Sequence, residues 1–299
     1  DTTQSFYDFF SKHLKLFGSI ENLADMASDS GQEKDSLDFE ILLENIIANN
    51  DYLILHSNDI NNLGWKKTIA KYSDKVIIIG EPKKLKNISK EDAEIFNNYS
   101  NINLEKIWFI LNHNKKTIIP KNTNEITDLR KGIRTFHIKD NNELDIKKIV
   151  RFVTKQTVGF TLGGGGAKGF AHFGIYKAMK ELNIPVDIIG GTSAGSIVAS
   201  QIALGHSFDE IINKNREVNS LKMFKEYGIP YISLIKSNKI EQAAKISAEE
   251  RNIEDLWIPF FAPATDLTNS KLIIFNKGPL WEAIRASGAL PGIVLPHFM

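Results

Sequence analysis

The sequence predicts an α/β protein: a parallel, helix-flanked sheet over residues 151–299, preceded by a small α/β domain over 51–150 and a helical segment over 1–50. Two observations carry most of this. Upstream, short β-branched and aromatic runs alternate with helix-forming runs, the order that builds a parallel sheet. Downstream, two glycine-rich turns at 163–169 and 190–195 each join an apolar run to a helix-forming stretch. Bulk composition agrees: 299 residues, 42% hydrophobic and 24% charged, suit a folded chain with room for two modest domains.

The elements follow in order. Phe6-Tyr7-Asp8-Phe9-Phe10-Ser11-Lys12-His13-Leu14-Lys15-Leu16-Phe17 is an aromatic-rich helix, open to two readings, core-facing or lying in a membrane interface. A polar break at 28–35 is a loop by composition, and 39–48 is a second helix. Strands are predicted at 52–56, 75–80 and 106–111, with helices at 65–72 and 90–99. No glycine fingerprint accompanies these strands. That domain is therefore assigned no nucleotide site, and its expected role is support or regulation. Residues 141–152, apolar at Leu144, Ile146, Ile149 and Val150, form a helix leading downstream. Strands at 157–162 and 184–190 then alternate with helices at 170–182 and 196–204.

Composition excludes several classes. A formal net charge of +1, without an aromatic-interleaved basic stripe, argues against nucleic acid as a partner. The absence of cysteine removes disulfides and thiolate metal sites, and fits a reducing compartment. No metal motif such as H-E-x-x-H occurs, so neither a metal nor a cofactor is expected. No apolar run approaches the ~18 residues of a membrane span, which leaves peripheral contact.

The chemistry concentrates in the two turns. Gly191-Thr192-Ser193-Ala194-Gly195 is a G-x-S-x-G pentapeptide between a predicted strand and a helix, the setting a nucleophile elbow requires. The helix start offers free N–H groups to a developing oxyanion. The plainer reading is a glycine turn with an incidental serine. Upstream, Gly163-Gly164-Gly165-Gly166-Ala167-Lys168-Gly169 admits three readings. A phosphate loop of the Walker type fails, because Lys168 is followed by Gly169 rather than Ser or Thr. A dinucleotide fingerprint fits by letter as Gly164-x-Gly166-x-x-Gly169, with Asp187 near the spacing of a ribose-binding acid. An oxyanion loop serving Ser193 accounts for both turns at once.

These residues, through His172-Phe173-Gly174, resemble the patatin-like phospholipases, and within them the bacterial relatives of neuropathy target esterase. Ile253-Glu254-Asp255-Leu256-Trp257, Ala264-Thr265-Asp266-Leu267, the run 278–287 and Leu290-Pro291-Gly292 resemble that branch too, in family order. The resemblance covers about 157–299. It implies a serine acyl hydrolase acting on phospholipids or lysophospholipids through a Ser–Asp dyad, without catalytic histidine. Ser193 matches the nucleophile. Gly164, Gly165 and Gly166 match the oxyanion loop, with the Ala194 N–H as a further donor, and Lys168 stands at a usually basic position. A cytoplasmic location, peripheral at the membrane, is expected, with an upstream regulatory domain that some relatives carry and this chain does not.

One departure stands out. The family aspartate lies in an Asp-Gly-Gly or Asp-Gly-Ala motif, and residues 1–299 contain none. The expected explanation is a fragment whose patatin-like domain is C-terminally incomplete and whose dyad aspartate lies beyond Met299. Asp187 is expected to be buried beside the sheet. Asp266 is a candidate substitute base at a strand end, or else a turn residue. His172 is expected to pack in its helix and His206 to sit at a helix terminus. Two readings from other classes remain: a non-catalytic regulatory module on the same fold, and a dinucleotide-binding oxidoreductase.

Overall fold

The computed structural model describes residues 2–23, 37–57, 63–86, 104–128, 133–221, 233–235 and 237–298. The predicted loop at 28–35 and helix at 90–99 lie outside them. The chain forms two compact units: Asp1–Thr117 with Glu125–Gln156, and Ile118–Asn124 with Thr157–Met299.

The first unit contains α1 (Thr2–Leu14), β1 (Ile20–Leu23), α2 (Leu37–Asn49), β2 (Tyr52–Leu55), α3 (Leu63–Tyr72), β3 (Val76–Gly80), α4 (Pro82–Lys86), β4 (Ile107–His113), β5 (Arg134–Lys139) and α5 (Glu143–Val153). β1 pairs with β2, and β3, β4 and β5 pair in that order, all parallel. Every residue of the central strand β4 is buried, as expected of a parallel strand covered on both faces. The aromatic helix resolves toward its core-facing reading. Phe6, Phe10 and Leu14, spaced by four, pack with Ile146, Ile149 and Val150 of α5. Residues 1–50 are not wholly helical, since Ile20–Leu23 is a strand.

The buried His113 is expected to make this unit acid-sensitive. His113 Nε2 lies 2.8 Å from His137 Nδ1, and both residues are buried. Burial pushes the His113 imidazole down to about 4 from 6.5, with Asp145 opposing. The unfolded chain therefore takes up this proton first. Stability should fall as pH drops below about 6.5, by on the order of 2–3 kcal/mol when pH 4 is reached. Urea midpoints measured across that range should show the slope, and His113→Gln should flatten it.

The second unit contains β6 (Gly159–Leu162), α6 (Ala171–Glu181), β7 (Ile188–Gly191), α7 (Ala194–Ala203), α8 (Phe208–Ser220), α9 (Asn238–Ala248), β8 (Phe260–Asp266), β9 (Lys271–Phe275) and α10 (Leu280–Ser287). Its sheet runs β6-β7-β8-β9. The first three strands are parallel, so the helix-flanked parallel sheet is present. The last strand departs from that expectation: β9 returns antiparallel on β8, because only the short turn 267–270 joins them. Leu162, Ile189, Phe260 and Ala262 from three strands meet Val198, Ala199 and Ile202 of α7 and Ala283 and Ile284 of α10 in one core.

Candidate active site

Ser193 lies between β7 and α7, with φ 53° and ψ −123°. A residue with a Cβ seldom takes that conformation, and holding it costs on the order of 1–3 kcal/mol. The turn is held in place from several directions. The Thr192 N–H donates to the Leu162 carbonyl at 3.0 Å and the Gly195 N–H to the Thr192 carbonyl at 2.9 Å. The Ser193 N–H donates to Ser287 Oγ at 3.2 Å, and Ser196 Oγ donates back to the Ser193 carbonyl at 2.6 Å.

Both framing glycines are sterically required. A Cβ on Gly191 would lie 2.4 Å from the Gly195 carbonyl carbon. One on Gly195 would lie 2.2 Å from the Leu162 oxygen. Gly195 can lie this close to β6, and Gly191 this close to the start of α7, only without side chains.

The glycine loop leaves β6 and folds over this turn. A Cβ on Gly164 would stand 3.2 Å from both Ser193 Cβ and the Thr192 oxygen, and one on Gly169 would stand 2.9 Å from Ala194 Cβ. Gly166 has φ 55°, and Gly166–Phe170 make a short 3-10 turn into α6. The exposed Lys168 closes the loop with its backbone, donating from N–H to the Gly165 carbonyl at 3.1 Å. Ala194 is the first residue of α7, so its N–H has no acceptor within the helix. Gly164, Ser193 and Ala194 are thus brought together, with Gly165, Gly166 and Lys168 further along the same loop.

Two neighbours were not anticipated as site residues. His172 Nε2 lies 2.8 Å from the Gly163 carbonyl, rather than packing in its helix as expected. Ser287 reaches the Ser193 amide from 94 residues away. The weak hint in the sequence was His172's place two residues past the glycine turn. Nothing pointed to Ser287.

The alternative bases are occupied elsewhere. Asp187 is fully buried, and its Oδ2 accepts the Val158 N–H at 2.9 Å. It has no surface left for a ribose hydroxyl. Asp266 caps the β8–β9 turn, accepting the Asn269 side chain at 2.8 Å and the Thr268 N–H at 2.9 Å. Those bonds, led by Asn269, hold its carboxyl below the usual range. His206 is paired with Glu249 at 3.0 Å. Among the described residues, none hydrogen-bonds the Ser193 hydroxyl. Among them, too, no cluster of three or more acidic or histidine side chains could hold a metal, and no helix is long and apolar enough to cross a membrane.

Known proteins are similar to this chain in sequence. Residues 160–299 match the patatin-like phospholipase family. Patatin-like phospholipase domain-containing protein 7 of Rattus norvegicus is 33% identical over 168 residues, 54% of this chain and 12% of that protein. Neuropathy target esterase sws of Drosophila persimilis is 32% identical over 199 residues, 63% of this chain and 14% of that protein. A patatin-like phospholipase domain-containing protein of Caenorhabditis elegans is 35% identical over 159 residues, 51% of this chain and 12% of that protein. The chain thus spans a small fraction of the relatives it matches. Over residues 160–299, a little under half of its length, this chain is similar to the patatin-like phospholipases.

Proposed function

We propose that the second unit carries a serine acyl hydrolase site for fatty-acyl esters of phospholipids or lysophospholipids, on the neuropathy-target-esterase side of the family. The observation that carries this is the strained Ser193, pinned at a strand–helix junction with Gly164 packed against it. Ser193 Oγ attacks the ester carbonyl and gives up its proton. The N–H groups of the 164–166 loop and of Ala194 hold the negative oxygen of the tetrahedral intermediate. The alcohol, a lysolipid or glycerophosphoryl group, leaves as it is protonated. Water then attacks the acyl-serine and releases the fatty acid.

The proton acceptor is the aspartate of a Ser–Asp dyad. Asp187 and Asp266 are committed to structural bonds, which counts against either of them in that role. The buried Asp187 also counts against the dinucleotide reading. A lipid surface as partner is supported by the β8–β9 hairpin, which projects from the Ser193 end of the sheet and exposes Leu267, Leu272 and Ile274. A cytoplasmic protein in peripheral contact with a membrane is the location this reading favours.

The test is a fluorophosphonate probe with mass-spectrometric mapping, applied to this chain and to the full-length product of its gene. A single adduct on Ser193 is expected. An adduct elsewhere, or none on either protein, overturns the reading, the latter in favour of a regulatory module. Saturable NAD binding lost in Gly166→Val would favour an oxidoreductase.

A further inference from the structure

We propose that His172 is a positioning residue that sets the orientation of the oxyanion-loop peptide between Gly163 and Gly164. The proposal rests on the hydrolase reading of Ser193 and its glycine loop. It starts from one bond, His172 Nε2 to the Gly163 oxygen at 2.8 Å. A carbonyl oxygen only accepts, so Nε2 carries the hydrogen and the tautomer of His172 is fixed.

The consequence follows from peptide geometry. The bond between Gly163 and Gly164 is trans, as no cis peptide is present among the described residues. In a planar trans peptide, the C=O of one residue and the N–H of the next point in opposite directions. Anchoring the Gly163 oxygen on His172 therefore aims the Gly164 N–H to the other side. That N–H makes no hydrogen bond among the described residues, and Gly164 itself packs on Ser193.

The loop needs such an anchor. Four consecutive glycines have no side chains to hold their peptide planes, and glycine rotates its backbone more freely than any other residue. Among the described residues, His172 is the one side chain hydrogen-bonded to residues 163–166. The anchor is also well founded. The neighbouring Phe173 and Tyr176 of α6 are buried in the core, and the Gly163 oxygen lies where a Cβ on Gly195 would come within 2.8 Å. The imidazole thus couples α6, the loop and the serine turn. Without it, the 163–164 peptide is free to rotate and present a carbonyl where the oxyanion needs a donor.

Loss of one such donor acts on the transition state rather than on substrate binding. His172→Phe keeps a ring but removes the donor. His172→Gln keeps a donor at nearly the same reach. With a short-chain nitrophenyl ester, His172→Phe should lose about 10–10²-fold in kcat with KM little changed. His172→Gln should stay close to wild type, and all three proteins should unfold alike. Full kcat in His172→Phe, a Gln variant as slow as the Phe variant, or a loss confined to KM would each overturn the proposal.

Imidazole and amide nitrogen NMR supplies a readout independent of turnover. The expected result is an Nε2–H tautomer at His172, and a Gly164 amide resonance displaced in His172→Phe but not in His172→Gln. An Nδ1–H tautomer or an unmoved Gly164 amide would sink it. A wild-type full-length product that turns over no ester and takes no fluorophosphonate counts against the hydrolase reading, while the NMR result still decides the role of His172.

Discussion

Replacing Ser193 by glycine is expected to make the chain more stable and to abolish acyl transfer. The two effects share one cause. With φ 53° and ψ −123°, Ser193 holds a conformation that costs a side-chain-bearing residue about 1–3 kcal/mol and costs glycine little. Glycine gives back part of the gain, about 0.4–1 kcal/mol, by loosening the unfolded chain. A net stabilisation of roughly 0.5–2 kcal/mol should remain. Ser193→Ala is the informative partner. It removes the hydroxyl but keeps the Cβ, so the strain stays and its unfolding midpoint should match wild type. The backbone bond to Ser287 Oγ survives in both variants. Fluorophosphonate labelling should fall by at least about 10⁴-fold in both, as expected when a nucleophile is deleted. Urea unfolding followed by amide exchange in α7 reads stability where the strain is stored. Equal stability of the Gly and Ala variants would mean that the turn stores no strain. Residual labelling would mean that the nucleophile is another residue.

The parts of this fold that were readable from sequence are those where local rules and tertiary packing agree. The buried run Ile107–His113 reads as a strand because both its faces are covered. The order strand, Gly191-x-Ser193-x-Gly195, helix is readable because Gly191 presses on the first turn of α7 and Gly195 on β6, and neither contact leaves room for a side chain. What escaped lacks a local signal. Ile20–Leu23 is half polar, and becomes a strand only through its pairing with β2. Arg134–Lys139 mixes charged and apolar residues, and its place in the sheet comes from β4. The direction of β9 depends on the length of the turn before it, not on its own residues. The same division holds at the candidate site. The glycines announce themselves by type, whereas His172 and Ser287 matter through bonds to backbone atoms 9 and 94 residues away. No residue type or spacing encodes such a bond, since any donor or acceptor of the right reach would make it.

Among the described glycines, Gly195→Ala should be one of the most damaging additions of a single methyl. The new Cβ would lie 2.2 Å from the Leu162 oxygen, 2.7 Å from its carbonyl carbon and 2.8 Å from the Gly163 oxygen. All three are backbone atoms. Leu162 is fixed by its pairing with Gly191 and by the Thr192 N–H, so no flexible side chain can yield. Relief must come from moving α7 away from β6. That costs more than about 3 kcal/mol and carries Ser193 away from the glycine loop. A displacement near 1 Å is enough to slow acyl transfer by about 10²-fold, so whatever fraction still folds should label at least that slowly. Gly174→Ala is the control of opposite sign. It lies in α6, a Cβ there meets nothing within 4 Å, and alanine should stabilise the helix by about 0.5–1 kcal/mol without altering labelling. Urea midpoints and labelling rates of the two variants side by side decide the matter. If Gly195→Ala matches Gly174→Ala in both, the crossing of α7 over β6 is looser than these contacts require, and the strain at Ser193 loses its structural support.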